Sequence, residues 1–159
     1  MENLDIVVLR TLKAWREAGQ RALLTTVVRT WGSSPRPVGS IMALCETGAV
    51  VGSVSGGCIE DDLIAQYSKA NAINDSAPLR LKYGISADEA HRFGLPCGGT
   101  LELLLEFNPD AASLAQLIGM LEKGQLTQRS THLHTGAVTL TPTDAPSELH
   151  IDDTHLVNN

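Results

Sequence analysis

The 159 residues carry a formal net charge of −6, which argues against a nucleic-acid surface, because phosphate binding needs a basic patch. At 43% hydrophobic and 19% charged, the chain has an ordinary globular composition and enough length for one core, and aromatics at 4% make that core aliphatic. No apolar run approaches the roughly 20 residues of a membrane span, and the acidic start Met1–Asp5 is not a signal peptide.

Leu4, Val7, Val8, Leu12 and Trp15 recur at helical spacing, with Gly19 as a natural stop, and predict a first amphipathic helix. Ala22 to Thr30 is rich in β-branched residues and reads as a buried strand. Two prolines and two glycines between Trp31 and Ser40 exclude regular structure, so that stretch is a loop. Ile41–Leu44 and Ala49–Val54 then form a hairpin turning at Glu46-Thr47-Gly48. A helix follows from Cys58 to about Ala72, with Glu60, Asp61 and Asp62 in its first turn complementing the helix dipole.

Leu79–Tyr83 is a short strand, and Ser86-Ala87-Asp88-Glu89 fits a capping box that starts a short helix toward Arg92. Thr100–Phe107 alternates, with Leu101, Leu103, Leu105 and Phe107 on one face. Pro109-Asp110 starts a helix carrying Leu114, Leu117, Ile118 and Leu121, stopped by Gly124. Gln125–His132 and Ala137–Thr141 read as a last hairpin. The expected class is α/β (α+β): a mixed β-sheet with flanking helices in a single domain over 1–143. Residues 144–159 are polar and weakly patterned and read as a linker.

Three segments can carry chemistry. In Gly52-Ser53-Val54-Ser55-Gly56-Gly57-Cys58-Ile59-Glu60, a strand enters a glycine-rich turn and then a helix. Free N–H groups and the helix dipole there favour an anion and lower the pKa of Cys58; a tight turn with a buried cysteine has the same pattern. No Gly-Lys-Ser/Thr follows, so it is not a Walker A loop. In Gly94-Leu95-Pro96-Cys97-Gly98-Gly99, two glycines leave the Cys97 sulfur open; a structural cysteine at a strand start is the alternative. In the loop Ser33 to Ser40, three serines offer hydroxyls and Arg36, set between two prolines, offers a forked cation for a phosphate or another oxyanion, or is simply solvated.

The odd count of Cys45, Cys58 and Cys97 points to reduced thiols in the cytoplasm rather than a disulfide framework. Cys45, at a strand end, reads as a packing residue. His132 and His134 share one face of a strand as a metal pair does, but no third ligand is spaced to join them, and exposed polar residues are the preferred reading.

Taken in order, these three motifs resemble the XdhC/CoxI family, accessory factors of xanthine dehydrogenase and related molybdenum hydroxylases. They span about residues 22 to 107. The resemblance implies a chaperone rather than a turnover enzyme. Such a protein binds the molybdenum cofactor (a molybdopterin, with or without a nucleotide), protects it during sulfuration and passes it to the apo-hydroxylase. It implies a cysteine desulfurase and a cofactor nucleotidyltransferase as further partners, and a homodimer. On this likeness Ser33, Ser34, Arg36, Ser55, Gly56, Gly57, Cys58, Glu60, Cys97, Gly98 and Gly99 are expected to hold the cofactor, with Cys58 and Cys97 touching molybdenum. Longer members carry a C-terminal dinucleotide-binding-like domain with a Gly-x-Gly-x-x-Gly loop. That loop does not occur in this sequence, so 144–159 is expected to lead toward it. A different class of function also suits the residues: a sulfurtransferase-like enzyme with Cys58 as nucleophile at a helix start. The scarcity of histidines near the motifs leaves that enzyme without a local base.

Overall fold

The computed structural model describes residues 3–31, 37–54, 58–69, 72–83, 100–145, 149–151 and 155–158, with backbone alone at 3, 4, 58 and 158. Helix α1 (Asn3–Glu17) carries Asp5 in its first turn and Arg16 in its last, both favourable to its dipole. It buries Val8, Leu9 and Leu12, while Val7 falls outside the stripe and stays exposed. The chain reverses through Gly19 at φ +80°, with Gly19 N–H bonded to the Arg16 carbonyl. Strands β1 (Ala22–Trp31), β2 (Ile41–Cys45) and β3 (Val50–Gly52) follow, then helix α2 (Cys58–Tyr67), β4 (Leu79–Tyr83) and β5 (Thr100–Phe107). Helix α3 (Ala111–Glu122) is capped by Asp110, whose carboxylate accepts from Ser113 N–H at 3.0 Å. The chain closes with β6 (Thr127–His132), β7 (Val138–Pro142), β8 (His150–Ile151) and β9 (His155–Asn158).

The α+β class expected from the sequence holds. The single mixed sheet does not: the strands form two sheets, ordered β3-β2-β1-β5-β4 and β7-β6-β9-β8, and every described pairing is antiparallel. The pairs β1–β2, β2–β3, β4–β5, β6–β7 and β8–β9 are consecutive in the chain, as antiparallel neighbours commonly are, whereas β1–β5 and β6–β9 bring together strands distant in sequence. Residues 144–159, read as a linker, supply β8 and β9, because Ile151 and Leu156 pack with Val28, Leu104 and Leu133. The helix expected over 86–92 lies outside the described residues.

The first sheet is covered on both faces. On one face, α2 sets Ile59 and Leu63 against Leu23, Val27, Met42, Leu44, Leu101, Leu103 and Leu105. On the other, α1 and α3 cover Leu24 and Ala43 with Val8, Leu12, Leu114 and Ile118, and the second sheet covers Val28 and Leu104. Each such aliphatic side chain contributes about 1.5–3 kcal/mol by leaving water. Cys45 is fully buried at the end of β2, as a packing residue.

Two element ends differ from expectation. Strand β3 stops at Gly52, not Val54, because Gly52 turns to φ +84°. A Cβ there would lie 2.5 Å from the Ile41 carbonyl oxygen and 2.9 Å from Val8 Cγ2. Helix α2 ends at Tyr67, short of Ala72. At the far end of the β2–β3 hairpin, Gly48 takes φ +93°, and the Glu46 carboxylate accepts from Arg21 N–H at 2.6 Å.

Candidate functional site

Antiparallel pairing decides where the motif-bearing connections leave. Trp31 ends β1 opposite Thr100, the first residue of β5, and Tyr83 ends β4 opposite Leu101. Gly52 ends β3 opposite Met42, and Ile41 starts β2 opposite Thr26. The connections containing the Ser33–Ser40 loop, the Gly56-Gly57 turn and the Cys97 loop therefore all leave one end of one sheet.

The residues inside those connections are described only in part. Ser33, Ser34, Arg36, Ser55, Gly56, Gly57, Cys97, Gly98 and Gly99 lie outside the described residues. Cys58 is the first residue of α2, and its side chain is likewise outside them. The return of the first loop is anchored: Val27 N–H bonds the Ser40 carbonyl at 2.9 Å, and Gly39 N–H bonds the Val27 carbonyl at 2.8 Å. These bonds sit where β1 shifts register between Val27 and Arg29.

Glu60 fastens the second connection. Its carboxylate accepts from Ser53 Oγ at 2.6 Å and from Val54 N–H at 3.3 Å, tying the chain leaving β3 to the first turn of α2. Two residues further, Asp62 accepts from Tyr83 Oη at 2.8 Å and Gln66 Nε2 at 2.7 Å. Burial, then the bond to Asp62, pushes the Tyr83 phenol above the usual tyrosine range, so it stays a proton donor. Tyr67 is pushed the same way, by burial first and then by the Asp62 charge.

On the sheet face away from α2, the same end carries a cluster that sequence reading missed. Glu102 is 3% exposed and accepts from Arg80 Nε at 3.0 Å. Arg29 and Lys82 are its register partners on the flanking strands. Lys82 Nζ lies 5.2 Å from the centre of the Trp31 ring, which is 42% exposed. Arg29 Nη2 reaches the Ile151 carbonyl at 3.5 Å, joining this face to the second sheet. The available signal was the alternating Arg80 and Lys82 in β4 together with a tryptophan inside the first motif.

At the other end of the sheet, a cleft of about 510 Å³ opens between Asn108–Asp110, the start of α3 and the β6–β7 turn. Glu106 and Arg129 are among its lining residues. His132 and His134 do meet, with ring centres 5.7 Å apart, but His134 lies in the turn after β6 rather than on the strand. His155 on β9, which the sequence did not connect to them, meets His132 edge-on with ring centres 4.9 Å apart. Among the described residues no group of three or more His, Cys, Asp or Glu is arranged to hold a metal ion. No described helix is long and apolar enough to cross a membrane.

Comparison with known proteins shows what the chain is similar to. Residues 15–84 match the XdhC and CoxI family. The chain is 31% identical over 106 residues to the molybdenum cofactor insertion chaperone PaoD of Escherichia coli, covering 67% of this chain and 32% of that protein. It is 30% identical over 88 residues to a probable xanthine dehydrogenase subunit of Bacillus subtilis, covering 55% of this chain and 26% of the relative. The crystal structure of a xanthine dehydrogenase from Bacillus halodurans superposes with a TM-score of 0.65 at 27% identity, over 87% of this chain and 42% of that one. The chain thus spans about a third or less of the curated relatives it matches.

Proposed function

With residues 15–84 matching the XdhC and CoxI family, we propose that this chain binds the molybdenum cofactor, assists its sulfuration and serves its insertion into a xanthine dehydrogenase-type hydroxylase. The observation that carries the reading is the departure of three motif-bearing connections from one end of one sheet, two of them within the matched segment. The chemistry of that end suits the cargo. The cofactor is a polar pterin with a phosphate and a dithiolene-held metal. An exposed indole, two arginines and a lysine lie on β1 and β4 at the end of the sheet from which these connections leave. When bound, the cofactor supplies the metal; this chain's residues hold it, keep water away and release it. A homodimer, a cytoplasmic location, a cysteine desulfurase, a nucleotidyltransferase and the cofactor's nucleotide form belong to the same proposal.

The test is retention and delivery. Chain incubated with cofactor freshly released from a purified molybdenum hydroxylase is filtered, its molybdenum is counted by mass spectrometry, and activation of an apo-hydroxylase is followed. Stoichiometric molybdenum and activation are expected. Undiminished binding and delivery by the Cys58→Ala/Cys97→Ala variant removes the thiols from the proposal, and no binding by the wild-type chain removes the cofactor.

The second reading, a sulfurtransferase using Cys58, is favoured by the start of α2 at that residue. It is opposed by Glu60 and Asp61 in the same turn, whose negative charges disfavour a thiolate. Slow alkylation of Cys58 by iodoacetamide at neutral pH would exclude it.

A further inference from the structure

We propose that Trp31, Lys82 and Arg29 form the surface that receives the pterin and phosphate of the cofactor, the ring lying on the indole and the phosphate meeting the two cations. This inference rests on the function proposed above and names residues outside the expected site.

Four observations carry it. First, Trp31 is 42% exposed, whereas the chain's other tryptophan, Trp15, packs against the core under α1. Lys82 Nζ lies over the indole at 5.2 Å, and the rest of that flat apolar surface, left in water at the end of a strand, is costly unless something covers it. Second, charge is concentrated against the trend of the molecule. The chain is at −6, yet Arg29, Arg80 and Lys82 surround one buried carboxylate, Glu102. Arg80 takes that carboxylate, and neither Arg29 nor Lys82 makes an ion pair among the described residues. Third, the position is right. Trp31 is the last residue of β1 before the Ser33–Ser40 loop, and Thr100, its register partner, directly follows Cys97-Gly98-Gly99. A ligand held by those two connections borders this face. Fourth, the chemistry matches. Planar heteroaromatic rings stack on tryptophan, and a phosphate is best met by an arginine with a lysine beside it.

Three probes separate the parts: the intact cofactor, 6-hydroxymethylpterin as the ring alone, and inorganic phosphate. Binding to the full chain is read by ultrafiltration and, for wild type, by quenching of indole fluorescence. Trp31→Ala is expected to weaken cofactor binding tenfold or more and to abolish competition by the pterin, with Trp31→Phe recovering part of it. Lys82→Gln with Arg29→Gln is expected to weaken cofactor binding severalfold, to flatten its salt dependence and to abolish competition by phosphate. Circular dichroism checks that each variant folds; if Trp31→Ala does not, Trp31→Phe and the cation variants decide. Cofactor binding by wild type that is unchanged in these variants overturns this inference and leaves the proposed function standing. No binding by wild type overturns both.

Discussion

Glu106 of β5 and Arg129 of β6 are locked in a two-armed ion pair between the sheets, with Nη1 2.9 Å from Oε2 and Nη2 2.9 Å from Oε1. Thr131 Oγ1 completes the set, 3.2 Å from Glu106 Oε1 and 3.2 Å from Arg129 Nη1. Both charges are almost fully buried, so each depends on the other. Arg129→Met strands the carboxylate and is expected to cost about 3–5 kcal/mol in urea unfolding. Combining it with Glu106→Leu removes both charges and is expected to recover much of that loss. A double variant no better than the single one would contradict this account.

Tyr83 gives the chain an alkaline limit. An unperturbed tyrosine loses its proton near pH 10, and Tyr83 holds its own to higher pH, through burial first and the Asp62 bond second. The folded state therefore binds this proton more tightly than the unfolded chain. The stabilisation is complete below about pH 10 and is lost as pH rises through the folded value. Tyr83→Phe is expected to lower stability by about 1–2 kcal/mol at pH 7. The gap to wild type should close above about pH 10. Urea midpoints between pH 7 and 11 test the sign.

Gly52→Ala combines a positive φ with a Cβ 2.5 Å from the Ile41 carbonyl oxygen. Backbone cannot swing aside as a side chain does. A loss of about 2 kcal/mol or more is expected in thermal or urea unfolding. A neutral substitution would mean that the turn into the Gly56-Gly57 connection is softer than its packing.

Thr25 points the opposite way. Its hydroxyl is fully buried without a hydrogen-bond partner among the described residues, and its register partners Met42 and Leu105 belong to the aliphatic cluster under α2. Thr25→Val keeps the shape and removes the orphan group. A gain of about 1 kcal/mol is expected from calorimetry.

The local elements were legible where local rules decide them. Gly19 and Asp110 mark helix ends by capping chemistry, and Leu101, Leu103 and Leu105 mark a buried strand face by alternation. What escaped depends on distant partners. Glu102 and Glu106 fall on the strand face that an alternation pattern leaves to water, yet both are buried. Their cations come from β4 and β6, and nothing in the neighbouring sequence announces them. His155 belongs with His132 for the same reason, through the β6–β9 pairing. The strands β8 and β9 are too short and polar to show a period, and they exist because Ile151 and Leu156 find Val28 and Leu104. Of the candidate site, the motifs and the helix start at Cys58 were readable, and the convergence of their connections required the strand order.

The turn at Glu46–Gly48 has a practical use that follows from its place. Strand β2 runs from Ile41, at the motif-bearing end, to Cys45, so the turn sits roughly 17 Å away at the opposite edge. Thr47 at its tip is exposed, and the turn is pinned from within by the Glu46 bond to Arg21. A dye or surface tether at Thr47 would orient every molecule with its loops outward, giving a handle for single-molecule or immobilised binding assays that leaves the opposite edge untouched.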